Sequence, residues 1–75
     1  MYCNIELKNS NDVKQLNDIA CSQNFDLTVS SGSTIVNARS ILALFALIGK
    51  SVSLVAPDHI DPDKFISLVK KLNIS

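Results

Sequence analysis

Apolar side chains recur along this chain with two periods, and the switches between them set out an order of elements. From Tyr2 to Leu7, the side chains of Cys3, Ile5 and Leu7 alternate with Tyr2, Asn4 and Glu6. That period of two predicts a strand with one face buried. Ser10, Asn11 and Asp12 then offer three N-caps, with Gln15 three residues beyond Asp12. Val13, Leu16, Ile19 and Ala20 follow at helical spacing, which predicts a first helix running to about Cys21.

Phe25, Leu27 and Val29 alternate with Asp26, Thr28 and Ser30 as far as Ser31-Gly32, a hairpin-type turn, and Thr34 to Ala38 is rich in β-branched residues. Strands two and three should therefore form a hairpin. The run Ile41 to Ile48 has no period and fits a buried strand or a helix equally well. Its flanks decide: Ser40 suits an N-cap and Gly49 the left-handed residue after a helix, so a short second helix is expected. Ser51 to Ala56 alternates again, with Val52, Leu54 and Ala56 on one face, until Pro57 stops it. Asp61 and Pro62 open a third helix as N-cap and first helical residue. Phe65, Leu68, Val69 and Leu72 form its apolar stripe, and Lys70 and Lys71 complement the dipole in its last turn.

The order β-α-β-β-α-β-α fills residues 1–75 with no repeat or linker, which predicts a single α+β domain. Four alternating strands need one covered face, so the expected architecture is an antiparallel sheet with three helices on one side.

Composition narrows the function. A chain of 75 residues has little room for both a core and an elaborate active site, which favours a binding or carrier role over an enzyme. An apolar fraction of 47% and a mean hydropathy of +0.24 exclude a disordered tail, and the run from Ile41 to Ile48 is too short to insert in a membrane. Seven basic and seven acidic residues are scattered along the chain and leave no electrostatic footprint for nucleic acid. Cys3 and Cys21 fall on the apolar faces of their elements with no signal peptide before them, so free thiols in a reducing cytoplasm are expected. Cys3, Cys21 and His59 stand apart from one another in sequence, which argues against a metal site, and nothing implies a cofactor. His59 is the only histidine and reads as a solvated residue of the loop Pro57 to Pro62.

The stretch Leu27-Thr-Val-Ser-Ser-Gly-Ser-Thr-Ile-Val-Asn-Ala-Arg-Ser-Ile-Leu-Ala-Leu-Phe-Ala-Leu47, above all Val36 to Leu42, resembles the central part of HPr. HPr is the histidine-containing phosphocarrier protein of the bacterial phosphoenolpyruvate-dependent sugar phosphotransferase system. The resemblance implies an HPr-like open-faced β-sandwich with the order of elements given above. It also implies cytoplasmic protein partners: enzyme I-like, enzyme II-like or HPr serine kinase-like proteins. In that family a histidine at the start of helix one, in a His-x-Arg-Pro motif, carries the phosphoryl group.

This chain departs from the motif. Asp12-x-Lys14-Gln15 replaces it in one register, and the register set by the apolar helix face puts Asn11 opposite the histidine. Neither side chain can form a phosphoimidazole. An aspartyl phosphate would call for a metal held by further carboxylates, and Asp12 has only Asp18 nearby in sequence. The expectation is a degenerate member of the family that has no catalytic residue and works by binding partners.

The family also carries a regulatory serine at the start of helix two, and Ser40 matches it. As an N-cap alone, Ser40 would contribute about 1 kcal/mol. As a phosphorylation site, it would gain from the helix dipole and from Arg39. Lys14 and Arg39 are candidates to hold an anion jointly, since HPr-like folds are expected to bring both helix N-termini to one side of the sheet. Lys14 reads equally well as a solvated helix residue.

Helix two is more apolar than a sheet-covering helix requires. If Leu44, Leu47 and Ile48 point inward, a turn of about 100° per residue leaves Ile41, Leu42 and Phe45 outside. These three form a docking patch for a partner, unless the helix is buried more deeply, for example in a homodimer.

Overall fold

The computed structural model describes residues 1–72 and contains seven elements: β1 (Tyr2–Leu7), α1 (Ser10–Cys21), β2 (Thr28–Ser31), β3 (Thr34–Asn37), α2 (Ile41–Phe45), β4 (Lys50–Val55) and α3 (Pro62–Leu72). The strands form one antiparallel sheet in the order β1-β4-β2-β3. Tyr2 pairs with Val55 and Leu7 with Lys50, while Thr28 pairs with both Val55 and Asn37. The expected α+β architecture, an open-faced sandwich of four antiparallel strands and three helices, is the one observed.

The core lies between sheet and helices. Leu7, Leu27, Val29 and Leu54 from the strands and their flanks meet Val13, Leu16, Leu44 and Leu72 from the helices, all fully buried. Each such side chain contributes about 1.5–3 kcal/mol by leaving water. The opposite face of the sheet, with Tyr2, Asn4, Glu6 and Ser51, is exposed, so the period of two read from the sequence is the boundary between core and solvent.

Strand direction sets where each helix begins. β1 ends at Leu7, so α1 starts at the edge of the sheet marked by Leu7, Lys50 and Thr34. β3 runs away from that edge, so α2 starts at the opposite one, beside Asn37, Thr28 and Val55. The chain then returns along α2, and the Gly49 amide donates to the Leu7 carbonyl at 2.6 Å. α1 and α2 thus run in opposite directions and their N-termini lie at opposite ends. Both helices lie on one face, but their N-termini do not share one end of the sheet, as a joint anion site at Lys14 and Arg39 requires: β2 and β3 form a hairpin, so the chain leaves β3 where β2 began.

Several sequence expectations shift in detail. β2 begins at Thr28 rather than Phe25, although Phe25 and Leu27 are buried as their alternation requires. α2 ends at Phe45, and residues 46–49 continue as turns. Gly49 closes them with φ +88°, the left-handed conformation that its position predicted. Cys21 is exposed rather than on the apolar face, since it follows Ala20 at the end of α1, and Cys3 is half-buried. The third helix is as expected: Asp61 Oδ1 accepts from the Asp63 amide at 2.9 Å, and Phe65, Leu68 and Leu72 are buried with Val69 at their margin.

Candidate functional site

The head of α1 is built by a reciprocal cap that the sequence analysis missed. Asn9, not Ser10, Asn11 or Asp12, is the N-cap, with extended backbone at φ −155° and ψ 178°. Its Oδ1 accepts from the Asp12 amide at 3.0 Å, while Asp12 Oδ2 reaches back to accept from the Lys8 amide at 2.9 Å. The signal was present as Asn9-x-x-Asp12, a polar residue followed at the third helical position by a carboxylate, which is the spacing of a capping box. Because the helix starts at Ser10, Asn11 and Asp12 lie within its first turn rather than at its head. The negative end of Asp12 already sits where the helix's unpaired amides and dipole favour an anion.

Lys14 lies one residue past that turn and is exposed. Arg39 is at the other end of α1. Its guanidinium donates to the carbonyls of Gln23 at 3.0 Å, Phe25 at 3.3 Å and Ala20 at 3.5 Å, and Nη1 stands 3.3 Å from Asp26 Oδ1. Ala20 is six residues beyond Lys14, about 9 Å along the helix axis. The structure does not bring Lys14 and Arg39 together at a shared anion site. Arg39 instead bonds one carbonyl in the last turn of α1, where a cation is favoured, and two in the loop that follows the helix. Asn17 completes the tie by donating to the carbonyls of Ala38 at 3.2 Å and Arg39 at 3.0 Å, which fixes the approach to α2 on the flank of α1.

Ser40 is exposed and occupies the N-cap position of α2, with φ −88° and ψ 93°. Its side chain makes no capping hydrogen bond. The expected contribution of a capping serine is therefore missing, because the cap bond is not formed. Arg39, one residue earlier, is occupied with the carbonyls of the preceding segment and does not stand ready for a phosphate on Ser40.

On α2 the split between inner and outer faces is close to the one expected. Leu44 and Leu47 are buried, Leu42 is 80% exposed and Phe45 37%. Ile41 is a correction: it is half-buried and packs against the core, because it begins the helix where the chain is still leaving the β3 edge. Ile48, expected inside, is also only half-buried, since the helix has given way to turns by then. The exposed part of the patch is Leu42 and Phe45.

His59 is exposed in the loop after β4. That loop leaves the sheet beside Tyr2, whereas α1 starts beyond Leu7, so the only histidine and the head of α1 are separated by the length of a six-residue strand, about 20 Å. Among the described residues no three His, Cys, Asp or Glu side chains are grouped to hold a metal ion, and no helix is long and apolar enough to cross a membrane.

No protein-family model and no curated protein matches the chain. Among solved structures it is similar to the crystal structure of HPr-C-His from Thermoanaerobacter tengcongensis, with a TM-score of 0.72 and 22% sequence identity over 96% of this chain and 90% of that one. With the order β1-β4-β2-β3, three helices on one face and a fit over nearly the whole length, the chain has the HPr fold.

Proposed function

We propose that this chain is a phosphocarrier-related protein of the HPr type that no longer carries a phosphoryl group and acts by binding protein partners. The observation that supports this most directly is the head of α1. The Asn9 carboxamide and the Asp12 carboxylate are both used there as caps, and the only histidine lies at the other end of the sheet. A carboxamide is not a phosphoryl nucleophile, and a carboxylate already held at the helix head repels an incoming phosphate. Partners of the enzyme I-like or enzyme II-like kind, in a bacterial cytoplasm, would meet the exposed Leu42 and Phe45 of α2.

Incubation with phosphoenolpyruvate and a phosphotransferase enzyme I, followed by measurement of acid-labile phosphate, tests the loss of transfer. The expected result is no labelling above background. Stoichiometric labelling would reject the reading, and replacing His59 by alanine would show whether that residue takes the label.

A second reading is favoured by Ser40. An exposed hydroxyl at an N-cap position, left out of any cap, is accessible to a kinase and loses no native hydrogen bond when modified. On this reading an HPr-type serine kinase phosphorylates Ser40, and the phosphorylated form binds a regulator. Mass spectrometry after kinase treatment should find one phosphate on Ser40, and the absence of an adduct rejects it.

A further inference from the structure

β1 is an edge strand: it pairs with β4 on one side, and among the described residues no strand lies on its other side. Edge strands present a row of backbone N–H and C=O groups, and proteins usually protect them with lysine, proline or a bulge. β1, Tyr-Cys-Asn-Ile-Glu-Leu, has no lysine or proline, its one charged side chain, Glu6, lies at the far end from Tyr2 and Cys3, and its register with β4 is unbroken over six residues. Alongside it runs a groove of about 490 Å³ between the start of β1 and the outer flank of α3. Met1 and Cys3 line the strand side, Phe65, Ile66 and Val69 the helix side, and Lys70 is the one charged side chain among the described lining residues, the Met1 ammonium being paired with Asp58. Two of the most exposed large apolar side chains, Tyr2 at 69% and Ile66 at 50%, flank it.

A strand edge beside an overhanging apolar helix flank suits a particular occupant. An extended peptide can hydrogen-bond to the strand while every second side chain enters the groove, the recognition mode of strand addition. A compact surface would leave the edge groups of β1 unpaired, whereas an extended main chain pairs them. Lys70 at the rim adds charge complementarity to an acidic side chain or a C-terminal carboxylate.

We infer that β1 and α3 form a docking groove for an extended segment of a protein partner, apolar at alternate positions and carrying one acidic group that meets Lys70. This surface lies on the opposite flank of the sheet from β3, the strand that leads into α2, and is independent of the proposed role of Leu42 and Phe45.

The test uses the whole chain and a fluorescent octapeptide that alternates threonine and valine and ends in glutamate. Saturable binding is expected, with amide NMR shifts in Tyr2–Leu7 and with Cys3, but not Cys21, protected from alkylation. N-methylation of alternate peptide amides should weaken binding at least tenfold, because it removes the strand-pairing donors. Ile66→Asp should weaken it similarly, and Lys70→Glu should reverse the preference between peptides ending in glutamate and in lysine. The exposure of both residues leaves folding intact, which circular dichroism confirms.

Four outcomes overturn the inference: no saturable binding at millimolar peptide, equal binding of the N-methylated peptide, shifts confined to α2, or a chain that sediments as a dimer with β1 already paired to a second copy.

Discussion

Asn9 and Asp12 cap the same helix from opposite directions: the Asn9 side chain holds the Asp12 amide, and the Asp12 carboxylate holds the amide of Lys8. Each of the two groups orders the other, so their contributions should not add. Asn9→Ala and Asp12→Ala should each cost about 1 kcal/mol, or a fall of about 4–8 °C in Tm for a domain of this size. The double variant should cost less than the sum of the two single ones, which urea denaturation in a double-mutant cycle measures directly.

Arg39 should matter more for stability than its ion pair suggests. Its pairing with Asp26 is solvent-exposed, with side chains 42% and 63% accessible, so Asp26→Asn should change stability by less than about 0.5 kcal/mol. Arg39→Ala removes charge-assisted bonds to three carbonyls and should cost about 1–2 kcal/mol. Hydrogen exchange should speed up in residues 20–26 before any other segment. If the two variants cost the same, the carbonyl bonds contribute nothing beyond the ion pair.

Neighbouring leucines of α2 should behave in opposite ways. Leu44 is fully buried, and Leu44→Ala should destabilise by about 2–5 kcal/mol. Leu42 is mostly in water, and Leu42→Asp should leave stability within about 0.5 kcal/mol while abolishing binding to any partner that uses this face. Chemical denaturation and a pull-down with purified enzyme I read the two effects separately.

The two thiols should differ in reactivity. Cys21 is exposed and Cys3 is half-buried, so under native conditions a thiol reagent should modify Cys21 first, and denaturation should abolish the difference.

How far the sequence led depended on whether a feature was local. The strands, the hairpin glycine and α3 were legible because alternation, Ser31-Gly32 and Asp61-Pro62 express themselves within a few residues. The first cap was legible in principle, as Asn9-x-x-Asp12, but Ser10 and Asn11 are equally good capping types, and only the hydrogen bonds tell them apart. Arg39 was out of reach: in sequence it adjoins Ser40, while its partners Ala20, Gln23 and Phe25 are 14 to 19 residues earlier and meet it only through the fold. The same holds for the groove, whose two walls come from opposite ends of the chain. Ile41 misled because a pattern argument assigned faces as though the helix ran on to Ile48, while α2 is only five residues long.

The opposed directions of α1 and α2 set a minimum size for recognition. Ser40 follows Arg39, whose carbonyl is held by Asn17 of α1, and the Asn9 cap lies eight residues before Asn17, so these two addresses are separated by about 12 Å along the helix. A short peptide can read one of them. A protein that reads both in a single encounter has to lie lengthwise over the helix pair, and Leu42 and Phe45 are then beneath it.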